Sequence, residues 1–317
     1  MKESPFRKAL IGLLVVGALF WVFTLAFRLL VERGGPLGGG GKVAVVEVSG
    51  VISDAEETVE QLRKFGENKS IRSIVLRIDS PGGGVVPSQE IYQKVQELRQ
   101  QGKKIVASMG STAASGGYYI ACASDKIMAN PGTITGSIGV IMAMANVEDL
   151  MKKVGYRSVV IKSGEHKDIG SPFRAISPQE RRFLQGVLDD VHRQFVEAVA
   201  RGRRMQLESV KKLADGRIFT GQQAKENGLV DELGSLSDAV SLAGRLGGIA
   251  GKPEIVRSRK PRSWLSRILK GQFSPGSLFP LARDGMGLEP YYLWQHGSPW
   301  LLPPGLMPGL VPLVPTP

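Results

Sequence analysis

An α/β fold is predicted for this chain, and three observations carry the prediction. Val43 to Val48, Ile74 to Ile78 and Ile105 to Met109 are short apolar runs without polar alternation, the pattern of strands covered on both faces. Between the second and third lies a helical period, with Ile91, Val95 and Leu98 on one face and Gly102 as the stop. Pro and Gly clusters fall where the period changes. Strands and helices that alternate in this way build a sheet with helices packed on it.

Taken in order, Ala9 to Phe27 is an uninterrupted apolar and small-residue run, flanked by Lys2, Arg7 and Lys8 before it and Arg28 after it. Its length suits a transmembrane helix. It passes straight into Arg28-Leu-Leu-Val-Glu-Arg33 without a small-x-small cleavage site, which favours an uncleaved anchor. The basic amino-terminal flank puts that end inside the cell and the folded part on the extracytoplasmic side of the cell membrane, as a single-pass protein. Gly34-Gly-Pro-Leu-Gly-Gly-Gly-Gly41 is a flexible tether, so the folded domain begins near Lys42.

Within that domain, Asp79-Ser-Pro-Gly-Gly-Gly84 reads as a strand-to-helix turn, and a helix starts at Val85. Further strands are expected at Lys126 to Ala129, Ser137 to Met142 and Ser158 to Lys162. Ser177-Pro-Gln-Glu180 has the form of a capping box with proline at the first helical position. Phe183, Leu184, Val187, Leu188, Val191 and Phe195 then form a stripe expected to pack on the core. Past Arg257 the composition shifts. Trp264 to Lys270 has the pattern of a short amphipathic helix, and the rest, to Pro317, is too rich in Pro, Gly and Leu for a regular core. Three fates are open to such a tail: no fixed structure, a place on the membrane, or docking as an extended peptide in a groove. The organisation is therefore 1–33 cytoplasmic stub and anchor, 34–41 linker, 42–256 catalytic domain and 257–317 tail.

Composition excludes several function classes. One cysteine, Cys122, rules out an intrachain disulfide and a multi-cysteine metal site, and it reads as a small buried residue. A net charge of +12 and the cluster Arg201-Gly-Arg-Arg204 lack interleaved aromatics or a nucleic-acid motif, so a solvated helix end is expected there and no nucleic-acid partner. Positive charge also suits attraction to anionic lipid. No cofactor and no metal is expected.

The chemistry centres on Ser115, in Ser111-Thr-Ala-Ala-Ser-Gly-Gly-Tyr-Tyr119, where small residues surround a hydroxyl just after an apolar strand. A serine hydroxyl needs a neighbouring base to become a nucleophile. Of the three histidines, His192 lies in the long helix, His296 in the tail, and His166 in Ser163-Gly-Glu-His-Lys-Asp168. Lys167, adjacent to His166, is the other candidate. A lysine acts as a base only if burial lowers its pKa from about 10.4 toward neutrality. Oxyanion stabilisation needs backbone N–H groups, and Gly-rich turns such as Asp79 to Gly84 and the Gly116 amide supply that type. On residues alone, His166 and Lys167 both stand.

Five motifs in order carry a resemblance: Asp79-Ser-Pro-Gly-Gly, Ser111 to Tyr119, Thr135-Gly-Ser-Ile-Gly-Val, Lys162-Ser-Gly-Glu-His-Lys-Asp, and Phe219-Thr-Gly-Gln-Gln-Ala with Gly228-Leu-Val-Asp-Glu-Leu-Gly234. Over about residues 42 to 245 the chain closely resembles the short-form bacterial signal peptide peptidase A family. The resemblance implies a Clp-protease/crotonase-like fold of repeated β-β-α units behind the transmembrane helix. It also implies a serine endopeptidase with a Ser-Lys dyad. In that case Ser115 is the nucleophile, Lys167 the general base, Ser137 the residue that orients the lysine amine, and Gly83 and Gly116 the oxyanion donors, with Gly82 as fallback for Gly83. It further implies a homo-oligomer, an octameric ring, with the dyad shared between neighbours and signal peptides as substrates. Two other classes are weighed against it: a crotonase-like acyl-CoA enzyme, since fold does not fix function, and a non-catalytic membrane scaffold.

Overall fold

In the strands that contain the apolar runs from Val43, Ile74 and Ile105, successive side chains point to opposite faces and both faces are apolar, so the sheet is covered on each side. The computed structural model describes residues 15–26, 41–258 and 291–293. Their sheet has nine strands: β1 (Lys42–Ile52), β2 (Ile71–Gly84), β3 (Lys104–Ala114), β4 (Lys126–Ala129), β5 (Ile134–Gly136), β6 (Ile218–Thr220), β7 (Glu232–Leu233), β8 (Glu254–Arg257) and β9 (Tyr291–Leu293). The main path runs β6-β5-β3-β2-β1-β8, with β4 on β3, β7 on β4 and β9 on β2. Pairing is parallel except for β5 with β6 and β2 with β9.

Helices α1 (Glu56–Glu67), α2 (Val85–Gln100), α3 (Gly116–Ala121) and α5 (Pro178–Arg203) contribute to the larger core, with Ala44, Val46, Ile74, Leu76, Ile105 and Ala107 of the sheet. The opposite face, Val43, Val45, Val75 and Val106, is covered by α8 (Leu236–Leu246). Shorter helices α4 (Glu148–Lys153), α6 (Leu207–Lys211) and α7 (Gly221–Glu226) fill the connections. The capping box at Ser177 is present, with Pro178 opening α5 and the Ser177 and Glu180 side chains each satisfying the other's backbone N–H.

Four expectations are corrected. Asp79 to Gly84 is not a turn: β2 continues to Gly84, because Gly82 and Gly83 still pair with β1. The strand near Ser137 lies earlier, at Ile134–Gly136, where β3 offers a partner. Ser158 to Lys162 forms no strand; Val159 is 85% and Ile161 97% exposed, with no neighbouring strand to pair them. The α5 stripe enters the core only from its second half: Phe195 is buried, whereas Phe183 and Val187 are exposed.

Residues 15–26 are helical, and among the described residues no helix is long and apolar enough to cross a membrane. The remainder of the Ala9 to Phe27 run, residues 34–40 of the linker and most of the tail, with Trp264 to Lys270 and His296, lie outside the described residues.

Candidate active site

β3 carries Ser115 to the sheet's carboxyl edge. Its last residue, Ala114, pairs with Gly136 of β5, and the Ser115 N–H donates to the Gly136 carbonyl at 2.8 Å. Thr133 and Thr135 hold this junction from the side, donating their hydroxyls to the carbonyls of Gly110 and Ala113 at 2.8 and 2.6 Å. Ser115 then turns the chain abruptly into α3 with φ +52° and ψ −116°. A side-chain-bearing residue in such a conformation costs on the order of 1–3 kcal/mol, and such strain concentrates where function requires a fixed geometry. A serine on a strained strand-to-helix turn is also the arrangement of the nucleophile elbow.

Only two other non-glycine residues among those described have positive φ, Ser137 and Arg204. Ser137 follows directly on Gly136, so two serines with positive φ, +52° and +51°, leave adjacent strand ends. Ser137 is tied in turn through its N–H to the Arg217 carbonyl at 2.8 Å. Both serines are buried, Ser115 to 1% exposure.

Every residue of α3 is buried. Its Tyr118 hydroxyl donates to the Leu229 carbonyl at 2.9 Å, and the Tyr119 ring packs edge-on to Phe195 of α5. At Gly202 a Cβ would meet the Cys122 carbonyl oxygen at 2.1 Å, so α5 reaches α3 only because that residue is glycine. Burial pushes the Cys122 thiol up to about 12, which keeps it protonated and inert. Arg203 departs from the expected solvated basic cluster: it is buried against Asp231 at 2.7 Å, and Asp231 also accepts from the Ile127 N–H at 2.8 Å. The Gly228 to Gly234 motif is thereby explained as the support beneath α3.

The glycine end of β2 lies beside this turn. Ser80 pairs with Ala113, and a Cβ on Gly117 would come within 3.1 Å of the Ser80 carbonyl oxygen. At Gly83 a Cβ would sit 2.2 Å from the Ile52 carbonyl oxygen, so close packing on β1 requires glycine there. The Gly82 N–H donates to Ser80 Oγ at 3.0 Å and is thus already committed.

Lys167 is on an exposed segment, and among the described residues no hydrogen bond joins it to Ser115 or Ser137. Its segment is nevertheless ordered. Turn bonds run from the Lys167 N–H to Gly164 O and from the Ile169 N–H to His166 O, each 3.1 Å. Asp168 accepts from Lys162 at 2.6 Å and twice from Arg174 at 3.0 Å, and Arg174 reaches on to Glu180 at 2.8 Å. The Arg174 and Lys162 side chains hold the Asp168 carboxyl well below the usual carboxylate range. Arg174, aided by the Ser177 amide, brings Glu180 down to about 2. This clamp from the Lys167 segment to the α5 cap was not visible in the sequence, where Arg174 carries no motif. His166 packs its ring on Phe183 at 4.8 Å between centroids. His192 Nε2 is buried with no hydrogen-bond partner among the described residues.

Comparison with known proteins decides between the function classes. The model of the Clp protease family matches residues 45–135, and that of peptidase family S49 matches residues 97–249, which include Ser115, Ser137 and Lys167. A Synechocystis sp. protein that carries a protease name is 46% identical over 255 residues, 80% of this chain and 90% of its own length. The chain belongs to peptidase family S49. It is a serine endopeptidase with a mixed α/β, Clp-protease-like domain. An Enterococcus faecium protein named for signal peptide peptidase SppA is 40% identical over 212 residues, 63% of this chain and 62% of its own length. The chloroplastic serine protease SPPA of Arabidopsis thaliana is 32% identical over 253 residues, of which this S49 chain covers 75% of itself but 37% of the plant protein.

Proposed function

We propose that this S49 peptidase hydrolyses residual signal peptides and other extended apolar peptides, with Ser115 as nucleophile and Lys167 as general base. The observation that carries the reading is Ser115 itself, held at φ +52° on the strand-to-helix turn next to the glycine end of β2. Neutral Lys167 takes the Ser115 proton as Oγ attacks the peptide carbonyl. The oxyanion receives hydrogen bonds from the amides of Gly116 and Gly83. Commitment of the Gly82 N–H to Ser80 favours Gly83 over Gly82 in that role. The lysine ammonium then protonates the leaving amine, and the same amine activates the water that hydrolyses the acyl-enzyme. Ser137, next to Ser115 at the strand ends, orients the lysine amine.

A buried serine and an exposed lysine in one chain suit a dyad shared between copies in a homo-oligomeric ring, an octamer in the short-form family. Exposed apolar side chains at Val154, Val159, Ile161, Phe183 and Val187, on and near the Lys167 segment, suit a subunit contact that would also desolvate the lysine. The sheet and its helices are read as repeated β-β-α units. Residues 9–27 are read as a single-pass anchor in the cell membrane, with the catalytic domain extracytoplasmic and the tail following it.

The test is hydrolysis of a fluorogenic apolar peptide by the full chain in detergent. Ser115→Ala and Lys167→Ala each lower turnover by about 10³-fold or more, the scale on which a serine peptidase loses a member of its catalytic unit. His166→Ala retains it. Full activity in Lys167→Ala, or loss in a normally assembled His166→Ala, would overturn the dyad.

A further inference from the structure

One edge of β3 belongs to β2, and the other has two neighbours in succession. Residues 106–108 pair with 126–128 of β4, and residues 112–114 pair with 134–136 of β5. Between these two stretches the register with β2 slips: Ile78 stands opposite Met109, but Ser80 stands opposite Ala113. Gly110, Ser111 and Thr112 therefore face Asp79 alone, a bulge of three residues against one that ends just before the Ser115 turn. A bulge interrupts the ladder, re-aims the strand and leaves backbone groups without their usual partners. Here the Asp79 side chain takes the place of the missing partner, its Oδ1 accepting from the Thr112 N–H at 3.0 Å. The Thr133 hydroxyl holds the start of the bulge at the Gly110 carbonyl, and a Cβ on Gly110 would lie 2.6 Å from Asp79 Cγ, so the carboxylate packs there only against glycine.

We infer that Asp79 is a positioning residue for the peptidase reaction: its carboxylate oxygen fixes the bulge that sets Ser115, past the end of β3, against Gly83 at the end of β2. The inference rests on the reading of Ser115 as nucleophile and Gly83 as oxyanion donor. Asp79 precedes Gly83 on one strand and grips Thr112, which leads into Ser115, on the other. One side chain thus ties together the two strands that must meet at the reacting carbonyl. Without that acceptor the Thr112 N–H is released and the bulge is free to shift. A slip by a whole residue moves a strand by about 3.3 Å and turns its side chains to the other face. A misplacement of about 1 Å is enough to cost on the order of 10²-fold in rate. The contacts that bind the rest of the peptide do not depend on the spacing of Ser115 from Gly83, so the loss falls on kcat and not on KM.

Three full-length variants test this, each assayed for peptide hydrolysis per titrated site and for the rate at which a fluorophosphonate labels Ser115. Asp79→Asn keeps an acceptor in place without the charge, Asp79→Glu keeps the charge but moves it out by one methylene, and Asp79→Ala has neither. Asp79→Asn is expected to stay within about threefold of the wild-type kcat, whereas Asp79→Glu loses about tenfold and Asp79→Ala about 10²-fold at unchanged KM, with labelling slowed in step. A carboxylate that served stability alone would change the folded fraction and leave kcat per titrated site as it was. Equal kcat in Asp79→Asn and Asp79→Glu, or a loss as large in Asp79→Asn as in Asp79→Ala, would overturn the inference, and the first comparison holds even where Asp79→Ala does not assemble. If the wild type neither hydrolyses peptide nor takes the label, the proposed function fails by itself, and amide exchange decides on Asp79. The Thr112 N–H should then exchange faster in Asp79→Glu than in Asp79→Asn, and equal protection would sink it.

Discussion

Ser115 combines burial, a hydroxyl and a backbone conformation that alanine tolerates no better than serine. The strain is therefore separable from the chemistry. Ser115→Gly relieves it and Ser115→Ala does not, so the glycine variant should be the more stable of two inactive proteins, by about 1 kcal/mol after the entropy lost with glycine is subtracted. Denaturant unfolding of the pair measures this, and equal midpoints would mean that the turn is unstrained. Gly83→Ala should instead destabilise by about 1–3 kcal/mol, since its Cβ meets the Ile52 carbonyl oxygen at 2.2 Å and forces β1 from β2. Small neighbours and a preceding apolar run made Ser115 legible in the sequence. The positive φ of Ser137 and the close approach behind Gly83 were not, because both arise from strands distant in the chain.

Strands with a partner on each side were legible as apolar runs, and β1, β3 and β4 lie where those runs predict. Ser158 to Lys162 has the same composition but faces no neighbouring strand, so composition alone misread an exposed apolar surface as sheet. Conversely, the end of β2 looked like a turn because glycines hide the long-range pairing that makes it strand. The Arg174 clamp behaves as an element of its own. Folding lowers the proton affinity of Asp168, and it lowers Glu180 from about 4.5 to about 2. A depressed carboxyl stabilises the fold fully above its unfolded pKa and ceases to do so as pH falls through the folded value. Between pH 4.5 and about 2 the 162–176 segment should therefore loosen, seen as faster amide exchange after correction for intrinsic rates. Arg174→Met should show that loosening already at pH 6, and wild-type protection in the variant would exclude the clamp.

At the scale of the whole molecule, one chain buries the proposed nucleophile and exposes the proposed base. Apolar side chains as open as Ile161, at 97% exposure, are costly in an isolated chain and ordinary in an interface. Val159→Asp with Ile161→Asp should lower the sedimentation coefficient and the activity together. An unchanged oligomer would remove this surface from the assembly. Co-assembled Ser115→Ala and Lys167→Ala chains should recover part of the lost turnover through mixed sites, and none in verified mixed oligomers would confine the dyad to single chains. The pairing of β9 with β2 could not be read from a Pro-rich tail, since strand addition leaves no periodic signature over three residues.

The dyad itself is tested most directly by labelling the assembled full chain with a fluorophosphonate and locating the adduct by mass spectrometry. A single adduct is predicted on Ser115 in the wild type, absent from Ser115→Ala and suppressed in Lys167→Ala. Undiminished labelling of Ser115 in Lys167→Ala, or an adduct on another serine, would contradict it.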